Sequence, residues 1–287
     1  MLSWWQHLPE MMDPIVLSVG FFSLYWYAIF FLSGIFISLF LAILMTRRGW
    51  SPCSEEDIFD VFLFLSIGAI LGGHIGYVLF YNPVVFLSNP LAIISPYDFR
   101  SGIWTGISGM SYHGGLLGAI FALYWFTRTR SIQKRLSFLK MADFISLLAP
   151  VAIFFGRLGN FFNVELPGRV TDKPWGMFFP DILPIGTLRH PSILYEAFFE
   201  GIVLFIVLLF FRKKMPFPGA LACLYLAGYA GVRFVGEYFR EPDTQIGLFF
   251  GGAFSLGQLF SVGMFILAGA IFIWLRQKNR ATMAQKG

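Results

Sequence analysis

The sequence has little charge. Only 13% of its 287 residues are Asp, Glu, Lys or Arg, against roughly 25% in a soluble domain. It also has few metal ligands and few thiols. Two cysteines, Cys53 and Cys223, stand too far apart in sequence for a disulfide framework or a zinc site, and four histidines occur without an HExxH or CxxC motif. No internal repeat appears, which weakens an inverted-repeat transporter. The N-terminus, MLSWWQHLPEMMDPIVLSVG, lacks a basic n-region and a small-residue cleavage site. It is expected to be a retained first span rather than a cleaved signal peptide.

What is abundant is apolar: 57% of the residues are hydrophobic and the mean hydropathy is +0.70. Several runs reach about 20 residues, the length that carries an α-helix across the hydrocarbon core. Seven segments can be drawn, at 15–45, 58–81, 110–127, 141–162, 191–211, 218–239 and 255–275. The first is long enough for a tilted helix or an interfacial lead-in. The expected fold is an all-α polytopic membrane protein, a single integral membrane domain over residues 1–287. Small extracytoplasmic elements are expected in the connections 82–109 and 163–190.

Basic residues set the orientation. The connections after spans one, three and five and the C-terminal tail carry 14 of the 21 lysines and arginines. The positive-inside rule puts that side in the cytoplasm. The N-terminus then lies outside and the C-terminus inside, which seven spans satisfy. Tryptophans fall near both interfaces, only Trp26 lying within a span. Glycines 68, 72 and 76 on span two and 114 and 118 on span three recur at the interval that lets helix backbones approach. Helix packing is the expected role.

The basic residues left over by that rule are the informative ones. Arg157 lies 16 residues after Met141, about 24 Å along a helix, and Arg233 lies 14 after Gly219, about 21 Å. Arginines inside spans are costly and point to function, although snorkelling to the interface is the plainer alternative. Each has polar companions on its own face. Asn160 follows Arg157 at i+3; Tyr229, Arg233 and Glu237 form an i, i+4, i+8 stripe, with Arg240 beyond. Guanidinium pairs at headgroup depth suit a phospholipid phosphate; a structural arginine–carboxylate network is the alternative. Glu196 and Glu200 on span five are expected to pair with a neighbouring basic or polar helix.

His113, beside two glycines at the outer end of span three, is either a general base or a histidine bonded within the bundle. His74 on span two is expected to be packing, and His190 structural or gating. Tyr27 on the first span either donates to a headgroup or packs.

The motifs GRLGNFFNVELPGR (156–169), MSYHGGLLG (110–118), RHPSILYE (189–196) and YAGVRFVGEYFREPD (229–243) resemble those of the bacterial prolipoprotein diacylglyceryl transferases, as do GGHIGYVLFYN (72–82) and PEMMDPIVLSVG. The resemblance runs nearly from end to end. It implies transfer of a diacylglyceryl group from phosphatidylglycerol to the lipobox cysteine thiol of a preprolipoprotein, releasing glycerol phosphate, with no cofactor and no metal. It also implies a bacterial cytoplasmic (inner) membrane location, with the active site toward the outer, periplasmic leaflet. The implied partners are that lipid, the lipobox segment and the bilayer, with no nucleic acid.

Carried over by position, Arg157 and Arg233 engage the phosphate and His113 is the essential histidine. Asn160, Glu165, Gly168, Tyr27, Tyr229 and Glu237 match further functional positions, and Arg240, beyond the stripe, is added to the expected substrate-binding set. The pattern departs from the family at His74, where arginine is frequent, at Val164, where glycine is common, and at Pro167, where tryptophan is usual. The rivals from other classes are a lipid or anion transporter, which needs polar residues continuing to the cytoplasmic half, and a structural membrane subunit. An intramembrane protease lacks a GxSG-type serine or paired aspartates.

Overall fold

The structure is a computed structural model that describes residues 2–20, 22–80, 97–98, 103–104, 111–134, 136–180, 182–242, 248–249, 252 and 254–285. The chain is a mostly helical, polytopic membrane protein. Among the described residues five helices are long and apolar enough to cross a membrane, and Ala220–Gly236 is a shorter apolar helix. The chain divides into two compact units, residues 43–142 and the remainder.

The first apolar segment is not helical throughout. After a short helix α1 (Leu2–Gln6), strands β1 (Ile15–Val19) and β2 (Phe22–Tyr25) pair as an antiparallel hairpin. The β-branched Ile15, Val16 and Val19 favour the strand. Gly20, at φ +61°, supplies the left-handed residue of the turn, and the Ser18 and Ser23 hydroxyls meet at 3.1 Å. Helix α2 (Trp26–Arg47) begins only after this lead-in. Trp26, expected inside the span, is therefore its first residue.

The unit of residues 43–142 is built on α3 (Glu55–Phe80) against α4 (Tyr112–Lys134). The glycines serve helix packing as expected, and the two ladders face each other. A Cβ on Gly118 would stand 2.1 Å from the Gly68 carbonyl oxygen, and one on Gly72 would stand 2.4 Å from that of Gly114. Any side chain there forces the helices apart. Short strands β3 (Tyr97–Asp98) and β4 (Ile103–Trp104) pair antiparallel. The rest of the 82–109 connection lies outside the described residues.

The other unit holds most of the long spans. Helix α5 (Phe138–Phe162) leads into strands β5 (Met177–Phe178) and β6 (Leu188–Arg189), followed by α6 (Ser192–Phe211), α7 (Ala220–Gly236), strands β7 (Leu248–Phe249) and β8 (Phe254–Ser255), and α8 (Leu256–Ala284). Asp143 of α5 accepts the Gly219 and Ala222 N–H groups at 2.7 and 2.9 Å. It thereby caps α7 from outside that helix. The connection 163–190 forms a small platform. Gly168 bridges Arg240, Val170 bridges Arg189, and Phe161, Met177, Phe179 and Ile193 pack into one buried cluster beneath it.

Candidate active site

Three helix ends meet at the site. Arg157 lies near the C-terminal end of α5 and Arg233 in the last turn of α7, while Glu196 lies near the N-terminal end of α6. Of these, Arg233 stands in a terminal turn, where a cation agrees with the helix dipole. Residues Ala197–Val203 of α6 are wound as a π-helix. Within that stretch Gly201 allows close contact with α5: a Cβ there would stand 2.6 Å from the Phe154 Cβ.

The carboxylates of α6 hold both arginines. Glu196 Oε1 accepts from Arg233 Nη1 at 2.7 Å, and its Oε2 stands 3.1 Å from Arg157 Nη1. Glu200 Oε2 accepts from Arg157 Nε and Nη2 at 3.1 and 3.0 Å. Arg233 Nη2 donates to Glu237 Oε1, and Glu237 Oε2 accepts the Ser255 hydroxyl at 2.8 Å. Ser255 is also the N-cap of α8, accepting from Gln258 N–H. Its hydroxyl ties the cap to the cluster.

The expected pairing of Glu196 and Glu200 is therefore present, and its partners are the two site arginines. The carboxylates are completely enclosed, at 1% and 0% exposure, while Arg157 and Arg233 keep 15% and 16%. A guanidinium has five N–H donors, and these carboxylates engage only some of them. The carboxylates thus hold the arginines, and each guanidinium keeps a small exposed surface.

A second network lies one turn beyond Arg157. Asn160 and Asn163 each donate to one oxygen of Glu165, at 2.8 and 3.0 Å. The Asn163 side-chain oxygen Oδ1 accepts the Tyr27 backbone N–H at 3.1 Å. Tyr27, Asn160 and Glu165 are thus brought together, with Asn163 as the link that sequence reasoning left without a role.

Gly168 and Arg240 meet through their backbones. A Cβ on Gly168 would stand 2.2 Å from the His190 carbonyl oxygen and 2.7 Å from that of Phe239, so only glycine fits. Arg169 Nε donates to the Arg240 carbonyl at 3.0 Å. Sequence reasoning also missed Arg189. It is buried and donates from Nη1 to the Gly168 carbonyl and to Glu241, both at 3.0 Å. Its signals were that the orientation rule left it over and that it opens the RHPSILYE motif. Tyr229 is buried on α7, one turn before Arg233. His74 lies within α3. His113 is the second residue of α4, and its side chain lies outside the described residues.

His190 is held by its neighbours, its Nδ1 lying 3.2 Å from the Tyr195 hydroxyl, which accepts from Trp175 Nε1 at 2.7 Å. Burial, and then the Lys173 charge, lower its pKa from the ordinary histidine value.

The model of the prolipoprotein diacylglyceryl transferase family matches residues 14–274. The chain belongs to this family. Proteins named phosphatidylglycerol–prolipoprotein diacylglyceryl transferase are similar to it over nearly their whole length. The one from Chlorobaculum tepidum is 44% identical over 278 residues, covering 96% of this chain and 94% of its own. That of Pseudoalteromonas atlantica is 45% identical over 96% and 92%, and that of Vibrio campbellii 44% over 93% and 92%.

In this transferase-family chain the departure at Val164 has a backbone consequence. Val164 and Leu166 adopt φ of +56° and +53° on either side of Glu165. That region suits glycine and disfavours a β-branched side chain.

Proposed function

We propose that this protein transfers the diacylglyceryl group of phosphatidylglycerol to the lipobox cysteine thiol of a preprolipoprotein, forming a thioether and releasing glycerol phosphate. The observation that carries the proposal is the sharing of Glu196 by Arg157 and Arg233. One carboxylate from behind sets two guanidinium groups side by side, each with further N–H donors for a phosphate. The family membership and the names of the relatives support the same chemistry.

In this mechanism the phosphodiester of the lipid lies against Arg157 and Arg233. The incoming sulfur forms its bond to the glycerol carbon as the carbon–oxygen bond to phosphate breaks. The electron pair leaves on the phosphate oxygen, where the two arginines stabilise it. The thiol, with an ordinary pKa near 8.5, gives its proton to His113 as the general base. Glu237 and Ser255 hold Arg233, and Asn160, Glu165 and Tyr27 line the approach to Arg157. Tyr229, Gly168 and Arg240 complete the substrate-binding set.

The same proposal includes seven spans in one integral membrane domain, with the N-terminus outside and the C-terminus in the cytoplasm. It puts the site at the outer leaflet of the bacterial inner membrane, with the connections 82–109 and 163–190 on that side.

The test is incubation of the purified protein with phosphatidylglycerol and a lipobox peptide. The expected product is the peptide heavier by one diacylglyceryl group. No adduct, under conditions where another member of the family forms one, overturns the proposal. Arg157→Ala and Arg233→Ala should each abolish turnover in protein that remains inserted, and full activity in either removes the phosphate role. Retained single-turnover chemistry in His113→Gln removes the histidine as base.

A further inference from the structure

The platform formed by the 163–190 connection carries two bare apolar side chains at its tip. Leu183 is 78% exposed and Ile185 73%, the most exposed of the large apolar residues described. The segment that bears them is built, not loose. Thr187 Oγ1 donates to the Pro184 carbonyl at 2.8 Å and closes the turn, with Gly186 at φ +74°. Arg189 Nη2 donates to the Leu183 carbonyl. That arginine is itself buried and fixed to Gly168 and Glu241. A buried arginine thus secures the root of a turn whose apolar tip is exposed.

The position of the tip identifies what covers it. Its anchor, Arg189, stands three residues before Ser192, the first residue of the apolar helix α6. The tip therefore stands beside the border of a lipid-facing surface, on the side where α6 begins. Trp175 of the same connection is half exposed, while its indole N–H is held by Tyr195. An aromatic with one end bonded and its body bare is the usual occupant of a headgroup layer.

We propose that Leu183 and Ile185 form an interfacial anchor that enters the phospholipid leaflet beside the arginine cluster. The partner is the lipid surface itself, reached by two apolar side chains on a stiff turn. The platform that contains Gly168, to which Arg240 is bridged, is then moored to the leaflet at headgroup level. This holds whether or not the transfer reaction does.

Site-directed spin labelling in phosphatidylglycerol-containing vesicles tests it. Single cysteines replace Leu183, Ile185 or Asp172 in a background carrying Cys53→Ser and Cys223→Ala. Asp172, with a side chain 90% exposed, is the aqueous reference. The expected result is that nitroxides at 183 and 185 collide more with oxygen than with a water-soluble nickel chelate, and the reverse at 172. Tip labels that behave like the one at 172 overturn the proposal. Labels shielded from both reagents also overturn it, since protein, from a second copy or another chain, then covers the tip. If the cysteine background fails to fold, photolysis of the native chain with a diazirine-bearing phospholipid decides. Adducts within residues 182–188 support the anchor, and their absence there beside labelled spans refutes it.

Discussion

Glu196 Oε1 stands 2.7 Å from Arg233 Nη1, across 37 residues of chain and between two helices. The same carboxylate reaches Arg157 with its other oxygen, so its removal affects both arginines together. Taking one partner from a buried ion pair costs about 3–5 kcal/mol, because the remaining charge is left without compensation. Glu196→Ala should lower the melting temperature of the detergent-solubilised protein and abolish transfer. Glu196→Gln, which keeps an acceptor for Arg233, should lose less stability while still reducing turnover at least about tenfold, or about 1.4 kcal/mol. Thermal unfolding alongside the adduct assay separates the two, and an unchanged melting temperature in Glu196→Ala would remove the shared-carboxylate account.

Gly257 offers a way to disturb Glu237 without changing it. A Cβ at Gly257 would stand 2.6 Å from Glu237 Oε1 and 2.7 Å from its Cδ. A carboxylate at the end of a flexible side chain can swing aside, so Gly257→Ala should fold. In doing so Glu237 gives up Arg233 or Ser255. Activity is expected to fall by an order of magnitude or more, with a small change in melting temperature. Gly156→Ala on α5 is the control, since nothing stands within 4 Å of its added Cβ; it should behave as wild type. Equal activity in the two variants contradicts the role given to Glu237.

How much of this was legible in the sequence depends on range. Arg157 and Arg233 announced themselves because a charge in an apolar run needs a reason. Glu196 and Glu200 announced only that they needed partners; which partners is decided by helices 37 to 43 residues apart. Asn163 and Gly201 gave no comparable signal, and Arg189 showed as a basic residue that the orientation rule left over at the head of the RHPSILYE motif, since their roles come from contacts made by other segments. The hairpin before α2 was hidden for a different reason. Its strands continue an apolar run, and periodicity does not separate a short apolar strand from a helix turn. Only Gly20 marked the break, inside a stretch otherwise long enough to span.

Val164 was visible as a departure from the family pattern, but its cost is visible only in the backbone. At φ +56° a β-branched residue is strained, at about 1–3 kcal/mol. Val164→Gly relieves that strain and adds about 0.5–1 kcal/mol of chain entropy to lose on folding. The expected balance is a small gain in stability, of about 1 kcal/mol, seen as a higher midpoint in denaturant. Glu165 is held by Asn160 and Asn163 rather than by Val164, so transfer should be retained. A lower midpoint in Val164→Gly would show that the left-handed conformation carries no strain.

His190 makes the platform sensitive to acid. Its pKa in the folded chain is lowered from 6.5 by burial and then by Lys173, against a smaller opposing effect of Asp172. Between the folded and ordinary values the unfolded chain binds more protons than the folded one, so stability rises with pH. The stability is intact above the ordinary histidine range and falls as the pH drops through 6.5 toward the lowered value. Because the ring bonds Tyr195 and its carbonyl holds Gly168, the loosening should appear first in the 163–190 connection. Hydrogen exchange of peptides from that connection is expected to quicken between pH 7.5 and 5, after correction for the intrinsic rate. The increase should be smaller in His190→Gln, which has no proton to gain, and smaller in Lys173→Gln if the nearby charge contributes. An identical acid response in wild type and His190→Gln would assign the sensitivity to another group.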